Sequence, residues 1–347
     1  MMIDLPIRRG YEGPNRVSTC QFLRMRPLWL NYDGSEKLTD FQVKCVLTPS
    51  DIPFEKLRAD KQDLLFVDNN NEPIPYWIEK ADSTEIIVWL KFSEIIPGKE
   101  VFWLYYGNGN FSGASNVVAT FIRVIDGVVG AWHFDEGSGT TAKDTSGNNN
   151  DGTIYGATWT DGKFGKALSF DGSDDYVDVP HSESLSLTET ITAEAWIKAS
   201  AGVQGYILVK KDYNHYGMYI GDDYDRFDVI LNDNNFRVTF NYWDVWKHVA
   251  FTYDKAAGKV IQYIDGEQVK VSDFSETIAT TTENLQIGRR IAGHYFEGVI
   301  DEVRLYNRAL SAEEISDLYN NYGYTTTNYP GKVLVRKYTE PEPSVSM

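Results

Sequence analysis

The sequence predicts an all-β protein made of two β-sandwich domains in tandem. Short runs that alternate apolar and polar residues recur along most of the chain and are separated by turn residues, a pattern typical of antiparallel sandwiches. The composition shifts to Gly, Asn, Ser and Ala between residues 107 and 127, which indicates a domain boundary. A single helical pattern, at residues 310–318, lies near the end. We therefore expect domains at 1–126 and 127–322, followed by a C-terminal strand and tail at 323–347.

Composition and charge exclude several classes of protein. The 347 residues, 42% hydrophobic and 14% aromatic, are enough for two packed cores and exclude a disordered chain. The 50 acidic and 33 basic residues give a formal charge of -17, which argues against nucleic acid and anionic membranes as partners. The sequence has no apolar run long enough to cross a bilayer, and its first ten residues lack the apolar core of a secretion signal. We expect neither membrane insertion nor export by this stretch.

Alternating strands predict the first domain. Residues 41–47, 86–90 and 101–106 alternate, and runs of this kind are separated by turn residues such as those at 69–71 and 97–98. Cys45 lies within the first run. We therefore expect it to be a buried, reduced thiol, with a disulfide to Cys20 as the alternative.

Several short sequence motifs of this first domain occur together in a known family. They are LLFVD at 64–68, IPYWIE at 74–79, VWL at 88–90 and YYGN at 105–108. In combination they resemble a domain family of unknown function that often sits directly before a jelly roll. The resemblance covers about residues 20–112, and it implies a fold class and a neighbouring domain but no chemistry.

The second domain resembles a laminin-G-like, concanavalin A-like jelly roll in both the residues and the order of its motifs. These are a polar loop at 144–151 (DTSGNNND), GKFGKALSFDG at 162–172, ITAEAWIK at 191–198 and a closing strand and helix at 296–315. The resemblance covers about residues 128–321. It implies a concanavalin A-like jelly roll with one short C-terminal helix, in a domain order like that of archaeal and viral surface proteins.

The closing strand carries a carboxylate that requires a partner. Alternation predicts two faces for it, one with Val299, Asp301, Val303 and Leu305, the other with Ile300, Glu302, Arg304 and Tyr306. Asp301 would then lie among aliphatic side chains, where a charge is costly unless a cation or several donors meet it. Ser311 and Glu314 form a capping box, which predicts where the helix begins.

The polar loop and the closing strand together predict a calcium site. Oxygen-bearing side chains occupy every second position of the loop: Asp144, Ser146, Asn148 and Asn150. This spacing can wrap a hard cation, although the loop lacks the glycine, the glutamate and the flanking helices of an EF-hand. In jelly rolls of the family that it resembles, the first strand, this loop and the last strand meet. The resemblance therefore implies a structural Ca²⁺ held by Asp144 and Asp301, with oxygens near Asp135 and Ser146. The alternative is that hydrogen bonds or an arginine neutralise Asp301.

One acidic segment approaches a catalytic pattern. Asp223, Asp225 and Asp228 have the spacing of the catalytic carboxylates on one strand of jelly-roll glycosidases. Aspartate, however, replaces the longer glutamate at both catalytic positions, and the segment begins in a predicted turn. We expect a solvated acidic hairpin in a non-catalytic protein, with a glycoside hydrolase or lyase as the alternative. The five histidines are scattered and show no metal-ligand spacing.

Aromatic residues gather in one region rich in Asn and Asp. They are Tyr213, Tyr216, Tyr224, Tyr242 and Trp243. Flat rings beside hydrogen-bonding groups suit the packing of sugar rings, so we predict that these residues bind a ligand. The alternative is that they fill the core of the sandwich.

These features favour a non-catalytic adhesion or glycan-binding surface protein whose partner is a glycan or a receptor on a host or cell surface. An extracellular or virion-surface location follows, and a virion spike or tail protein reaches it without a secretion signal. The alternatives are an enzyme on the same scaffold and a purely structural component of a virion or surface layer. The apolar strand at 333–338 is not stable alone. We expect it to close onto the first domain or to pair with another copy or another surface protein.

Overall fold

A computed structural model describes residues 22–111, 113–200, 202, 204–210, 215–221, 226–241, 243–290 and 293–347. The chain forms two compact units, one from residues up to 124 together with 336–347, the other from residues 125–335. Strands make up nearly all of the regular structure. The predicted all-β class with two sandwiches is therefore confirmed. No helix within the described residues combines the length and hydrophobicity needed to span a membrane.

The first unit is a sandwich of two antiparallel sheets. Its elements are β1 (Arg24–Tyr32), β2 (Leu38–Leu47), β3 (Leu64–Val67), β4 (Tyr76–Ala81), β5 (Ile86–Ile95), β6 (Gly98–Tyr106), α1 (Val117–Thr120) and, near the end of the chain, β26 (Ser344–Ser346). One sheet has the order β26-β1-β6-β3 and the other β2-β5-β4. Apolar residues from both sheets form one core, because each sheet must bury its apolar face against another layer.

The alternation predicted for β2 is present. Phe41, Val43, Cys45 and Leu47 all belong to the core of the first unit. Cys45 is 1% exposed and carries a free thiol, and burial raises its pKa to about 12. Cys20, the alternative disulfide partner, lies outside the described residues.

The second unit is a larger sandwich. Its elements are β8 (Val128–Trp132), β9 (Thr141–Ala142), β10 (Gly152–Tyr155), β11 (Thr158–Asp161), β12 (Lys166–Asp171), β13 (Tyr176–Val179), β14 (Thr190–Ala199), β15 (Gly205–Lys210), β16 (Tyr216–Gly221), β17 (Arg226–Leu231), β18 (Asn234–Thr239), β19 (Lys247–Asp254), β20 (Lys259–Ile264), β21 (Glu267–Asp273), β22 (Leu285–Ile287), β23 (Glu297–Tyr306) and α2 (Ala312–Asn320). One sheet has the order β18-β17-β16-β15-β22-β13-β10-β9. The other runs β11-β12-β23-β14-β19-β20-β21, with β8 also paired to β23. The inner faces of both sheets share one apolar core.

A small third sheet contains the strand predicted near the end of the chain. Its order is β24 (Tyr322–Tyr324), β25 (Lys332–Arg336) and β7 (Arg123–Asp126). The strand predicted at 333–338 corresponds to β25, and its Val333 and Val335 lie in an apolar cluster with residues of β8 and α2. Within the predicted strand and tail at 323–347, residues up to 335 belong to the second unit and residues 336–347 to the first.

The predicted closing strand and helix are both present. β23 pairs with β14 along most of its length, with β12 through its first half and with β8 through its second half. The helix α2 begins at the predicted capping box, in which Ser311 Oγ accepts from Glu314 N and the Glu314 carboxylate accepts from Ser311 N. Ile315 and Leu318 of this helix pack on the outer face of the sheet.

The two faces predicted for β23 are wrong in part, because the strand contains a β-bulge. Asp301 pairs with Trp196 and Arg304 pairs with Glu194. Two residues of β23 therefore oppose one residue of β14, and Glu302 adopts a φ of 53°. The bulge changes the inward-facing positions to Ile300, Val303 and Leu305. Asp301 and Glu302 consequently leave the aliphatic inner face.

Candidate functional site

Hydrogen bonds within and next to the polar loop at 144–151 already satisfy its first aspartate, Asp144. Asp144 Oδ1 accepts from the N–H groups of Ala131 and Ser146, both at 2.9 Å. Its Oδ2 accepts from Ser146 Oγ at 2.8 Å and from Asn150 N at 2.9 Å. Four donors thus meet the two oxygens of this carboxylate. Asp144 and Ser146 stabilise the loop through these hydrogen bonds.

Asp301 lies beneath a tight turn at residues 162–166. Its Oδ2 accepts from Lys163 N at 2.8 Å and Phe164 N at 3.1 Å. Its Oδ1 is buried and has no hydrogen-bond partner among the described residues. Burial, together with the charge of Glu302, raises the pKa of Asp301 well above its usual range. A buried carboxylate oxygen of this kind requires a proton or a cation.

Further oxygen atoms face the same turn. Asp135, which is exposed, holds the far end of this turn, because its Oδ1 accepts from Lys166 N at 2.8 Å. A Cβ at Gly162 would meet three oxygens: Asp301 Oδ2 at 2.6 Å, Lys166 O at 2.7 Å and Phe164 O at 2.8 Å. Carboxylates and main-chain carbonyls are the ligands that Ca²⁺ prefers. Two of the four predicted metal ligands, Asp135 and Asp301, thus bond to backbone N–H groups of the same turn, whereas Asp144 and Ser146 bond to each other in the polar loop.

A buried network of charges adjoins this carboxylate. Arg304 bonds Glu302, and its Nη1 donates to Glu194 Oε1 at 3.2 Å. Although burial opposes the effect, these two carboxylates raise the pKa of Arg304. Burial, together with the charge of Arg304, lowers the pKa of His133 to about 3. The neutral His133 ring therefore donates from Nδ1 to Glu302 at 2.8 Å and accepts at Nε2 from Thr325 Oγ1 at 2.7 Å. Arg304 is therefore engaged by Glu302 and Glu194, and the described hydrogen bonds of Asp301 come from backbone N–H groups rather than from an arginine.

The predicted catalytic segment is described only at its last aspartate. Asp223 and Asp225 lie outside the described residues. Asp228, on β17, is 2% exposed and accepts from Arg237 Nε at 3.0 Å and Nη2 at 3.2 Å. Arg226 Nε lies 3.2 Å from the same carboxylate. The expectation of a solvated hairpin is wrong for Asp228, because this residue is buried and forms ion pairs with Arg226 and Arg237.

The structure describes two of the five predicted ligand-binding aromatics. Tyr216 is 1% exposed within the core, and its hydroxyl donates to Leu185 O at 2.8 Å. Tyr216 therefore fills the core, as in the alternative interpretation. Trp243 is half-buried and packs against the same core. Three residues lie outside the described part of the chain: Tyr213, Tyr224 and Tyr242.

A different row of rings lies on the outer face of the eight-stranded sheet that contains β10 and β13. Tyr155 on β10 is directly opposite Tyr176 on β13, and their rings stack at 4.6 Å with 12° between the planes. The guanidinium carbon of Arg289 lies 3.2 Å from the centroid of the Tyr176 ring and 5.9 Å from that of Tyr295. Tyr155 is 45% exposed, and the other three side chains are half-buried. We call these four residues the tyrosine–arginine ladder.

Strand alternation explains why the ladder faces outward. Ile154 and Val177, next to the two stacked tyrosines in sequence, belong to the inner core. Tyr155 and Tyr176 therefore project from the opposite face of the sheet. On the other sheet of this unit, α2 and β25 pack against the outer face. The ladder thus occupies a different face of the sandwich from α2 and the turn at 162–166.

Hydrogen bonds fix the position of the arginine in the ladder. Arg289 Nε donates to Gln286 Oε1 at 2.9 Å, and Nη1 donates to Tyr295 Oη at 3.4 Å. Gln286 Nε2 donates to Asp178, whose other oxygen accepts from Asn284 Nδ2 at 2.8 Å. The ladder thus combines aromatic faces with amide, carboxylate and guanidinium groups. Such combinations line sites that orient a polar ligand with an apolar face.

Sequence reasoning missed the ladder because its members are far apart in the chain. A partial signal exists for Tyr155 and Tyr176, since each is an aromatic residue at an outward position of an alternating strand. No such signal exists for Arg289. Its place beside Tyr176 depends on the pairing of β13 with β22.

Comparison with known families confirms both resemblances. Residues 171–316 match the model of the concanavalin A-like lectin/glucanases superfamily, and residues 60–160 match that of a domain of unknown function. The latter match extends beyond the boundary predicted at residue 126. Among curated proteins, adhesion G-protein coupled receptor V1 of Danio rerio is 24% identical over 170 residues. The match covers 44% of this chain and 3% of that receptor.

Several solved structures are similar in fold to part of the chain. The binding domain of Paraclostridial Mosquitocidal Protein 1 has a TM-score of 0.47 at 16% identity, over 56% of this chain and 52% of that one. Domain 4 of AbnA, a GH43 extracellular arabinanase from Geobacillus stearothermophilus, in complex with arabinotriose, has a TM-score of 0.47 at 21% identity, over 56% and 98%. The binding domain of botulinum neurotoxin serotype G has a TM-score of 0.46 at 14% identity, over 56% and 52%.

Proposed function

We propose that this chain, whose second unit is a concanavalin A-like jelly roll, is a non-catalytic protein that binds glycans through the tyrosine–arginine ladder. A structural calcium ion at Asp301 and Asp135 is the second part of the proposal. The two sites lie on different faces of the sandwich, so binding of a glycan and binding of the cation can be tested separately.

The ladder is the observation that carries the glycan-binding proposal. Two tyrosine rings are stacked at the surface, and Arg289 covers the other face of Tyr176, so Tyr155, which is 45% exposed, offers the ring face that a sugar can reach. Aromatic rings bury large areas when they meet a partner, and the rings of tyrosine combine an apolar face with a polar hydroxyl. A sugar ring has the same two properties. Next to the rings, the half-buried Asp178 and Asn284 supply polar groups for sugar hydroxyls, and the buried Gln286 holds Asp178 and Arg289 in place.

Asp178, the carboxylate within the hydrogen-bond network of the ladder, suits binding better than hydrolysis. Hydrolysis of a glycosidic bond needs two carboxyl groups that flank the bond, one of them protonated. Asp178, beside the ladder, accepts hydrogen bonds from the amides of Gln286 and Asn284, which suits it to orient a ligand. Asp301, whose pKa is raised, lies under the turn at 162–166 on the other sheet.

The proposed cation has a structural role. Asp301 Oδ1 and the Asp135 carboxylate would hold it at the turn, together with main-chain oxygens of residues 164 and 166. A bound Ca²⁺ would neutralise the buried carboxylate and link β23 to the turn that covers it. The unpaired Oδ1 of Asp301 supports this assignment.

A glycan-binding protein of this kind acts at a surface. We place it outside the cell or on a virion, as a spike, tail or cell-surface component whose partner is a glycan or a receptor that carries one. The similarity between part of this chain and a stretch of an adhesion receptor supports this location. The formal charge of -17 fits such a partner better than nucleic acid.

Binding of the full chain to an array of immobilised polysaccharides and oligosaccharides tests the proposal, with a reducing-sugar assay on each glycan that binds. Tyr176→Ala removes the central ring and should weaken binding about 10-fold, equivalent to about 1.4 kcal/mol. Tyr329→Ala, which truncates a half-buried tyrosine in the turn before β25, is the matched control and should bind normally. Release of reducing sugar would contradict the non-catalytic assignment. Equal binding by both variants would contradict the assignment of the ladder.

A further inference from the structure

We infer that the ligand of the tyrosine–arginine ladder is a glycan with an acidic sugar unit, whose carboxylate or sulfate Arg289 receives. This inference rests on the glycan-binding function proposed above and specifies its ligand class. The observations that carry it are the hydrogen bonds of Arg289, its stacking and the charges around it.

Arg289 retains donor capacity that points to an anion. Its described acceptors are Gln286 Oε1 and Tyr295 Oη, which are both uncharged. It forms no ion pair with a described residue, and Nη2 has no acceptor among them. In the same unit, Arg237, Arg304 and Arg308 each bond a carboxylate. An arginine that is half-buried without a carboxylate is suited to receive an anion from a ligand.

The stacking of Arg289 fixes the direction in which that anion must approach. The guanidinium carbon lies 3.2 Å from the ring centroid of Tyr176, and the Nε edge is held by Gln286. The remaining edge, with Nη2, is therefore the one that can meet a ligand. A guanidinium edge matches the two oxygens of a carboxylate or sulfate. Because the group is already held in place, little side-chain freedom is lost when an anion binds.

The surrounding charges favour an isolated acidic unit over a dense polyanion. The chain carries a formal charge of -17, and the exposed Asp171 and Asp174 lie in the turn that leads into β13. Asp178 is the carboxylate next in the hydrogen-bond network of the ladder, and its oxygens are engaged by Gln286 and Asn284. A polymer with a charge on every sugar would be repelled by these groups. A glycan with one acid among neutral sugars places its charge at Arg289 and a neutral ring against the exposed Tyr155.

Matched pairs of glycans test this inference with the full chain. Sialyl-lactose and sulfated lactose are each compared with lactose, and hyaluronan is compared with its carboxyl-reduced form, by calorimetry or affinity electrophoresis. A comparison of dextran sulfate with dextran measures any general attraction between the chain and a dense polyanion. The variants are Arg289→Gln, which removes the charge, and Lys259→Gln. The latter is the matched control, because it removes a charge from the other sheet of the same unit.

We expect at least one acidic glycan to bind about 10-fold more tightly than its neutral twin, as a charge-assisted bidentate contact would give. Arg289→Gln should remove this preference, so that the acidic glycan and its neutral twin bind alike, and Lys259→Gln should retain it. The comparison of sialyl-lactose with sulfated lactose then shows whether the preferred anion is a carboxylate or a sulfate.

Equal binding of acidic and neutral twins by the wild-type chain would overturn the inference and leave glycan binding by the ladder intact. This comparison needs no variant, so it decides the question even if Arg289→Gln folds poorly. A preference that survives in a folded Arg289→Gln protein would also overturn it. Absence of binding to any glycan, by contrast, would remove the proposed function and this inference together.

Discussion

The substitution Val345→Asp is expected to destabilise the first unit and to leave the second unit unchanged. Val345 lies on β26, at the edge of the first unit, where it is the register partner of Leu30 on β1. Its side chain packs against the core of that unit. An aspartate at this position would lose the apolar contact and place a charge at the edge of the core.

The size of the effect follows from the burial of Val345. Loss of a partly buried valine costs about 1 kcal/mol, and a charge placed at a half-buried site adds about 1–2 kcal/mol. A total of about 2–3 kcal/mol corresponds to a decrease of roughly 10 °C in the melting temperature of a unit of this size. Truncation after Arg336 removes the whole of β26 and should shift the same transition in the same direction.

Calorimetry of the full chain, combined with hydrogen exchange, measures this effect. Peptides that cover β1 and β6 should lose protection in Val345→Asp, whereas those that cover β14 and β23 should not. Ser344→Asp is the matched control, since it places the same charge on the adjacent, exposed position and should stay within about 0.5 kcal/mol of wild type. If both variants melt alike, or if β14 and β23 lose protection instead, residues 336–347 are not part of the first unit and our reasoning fails.

Three further predictions concern single side chains of the two units. A chelator should lower the melting temperature of the second unit by roughly 5–10 °C, as expected for loss of a cation present at about 100 times its Kd. Asp301→Asn should abolish that response and the exposed control Asp273→Asn should retain it, so a chelator-insensitive wild type would count against the calcium site. Burial lowers the pKa of Lys210 from 10.5 to about 8. Between these two values the unfolded chain binds more protons than the folded chain, so stability should rise with pH. Relative to Lys210→Met the gain should be roughly 2–3 kcal/mol in denaturant unfolding, and parallel pH profiles would refute it. Cys45, with its pKa raised to about 12, should resist alkylation in the native protein and react after denaturation; peptide mapping that shows rapid native labelling would contradict its burial.

The hydrogen bonds of Asp144 show a limit of sequence reasoning about ligand loops. The spacing of Asp144, Ser146 and Asn150 suggests a ligand loop, but the same spacing lets backbone and side-chain donors satisfy Asp144. Carboxylates that bind a cation and carboxylates that close a loop have the same sequence pattern. The bulge at Glu302 made the two predicted faces of β23 wrong in part, because strict alternation assumes that no residue is inserted in the strand.

By itself, the sequence determined the all-β class, the buried face of β2 and the start of α2. Alternation and capping depend on residues a few positions apart, so local order is enough to reveal them. Only the tertiary structure decided where a ligand can bind. Tyr155, Tyr176 and Arg289 come together through the pairing of β10, β13 and β22. A shift of one residue in that register would turn each strand's side chains to the opposite face, so the site depends on long-range pairing that a local pattern does not contain.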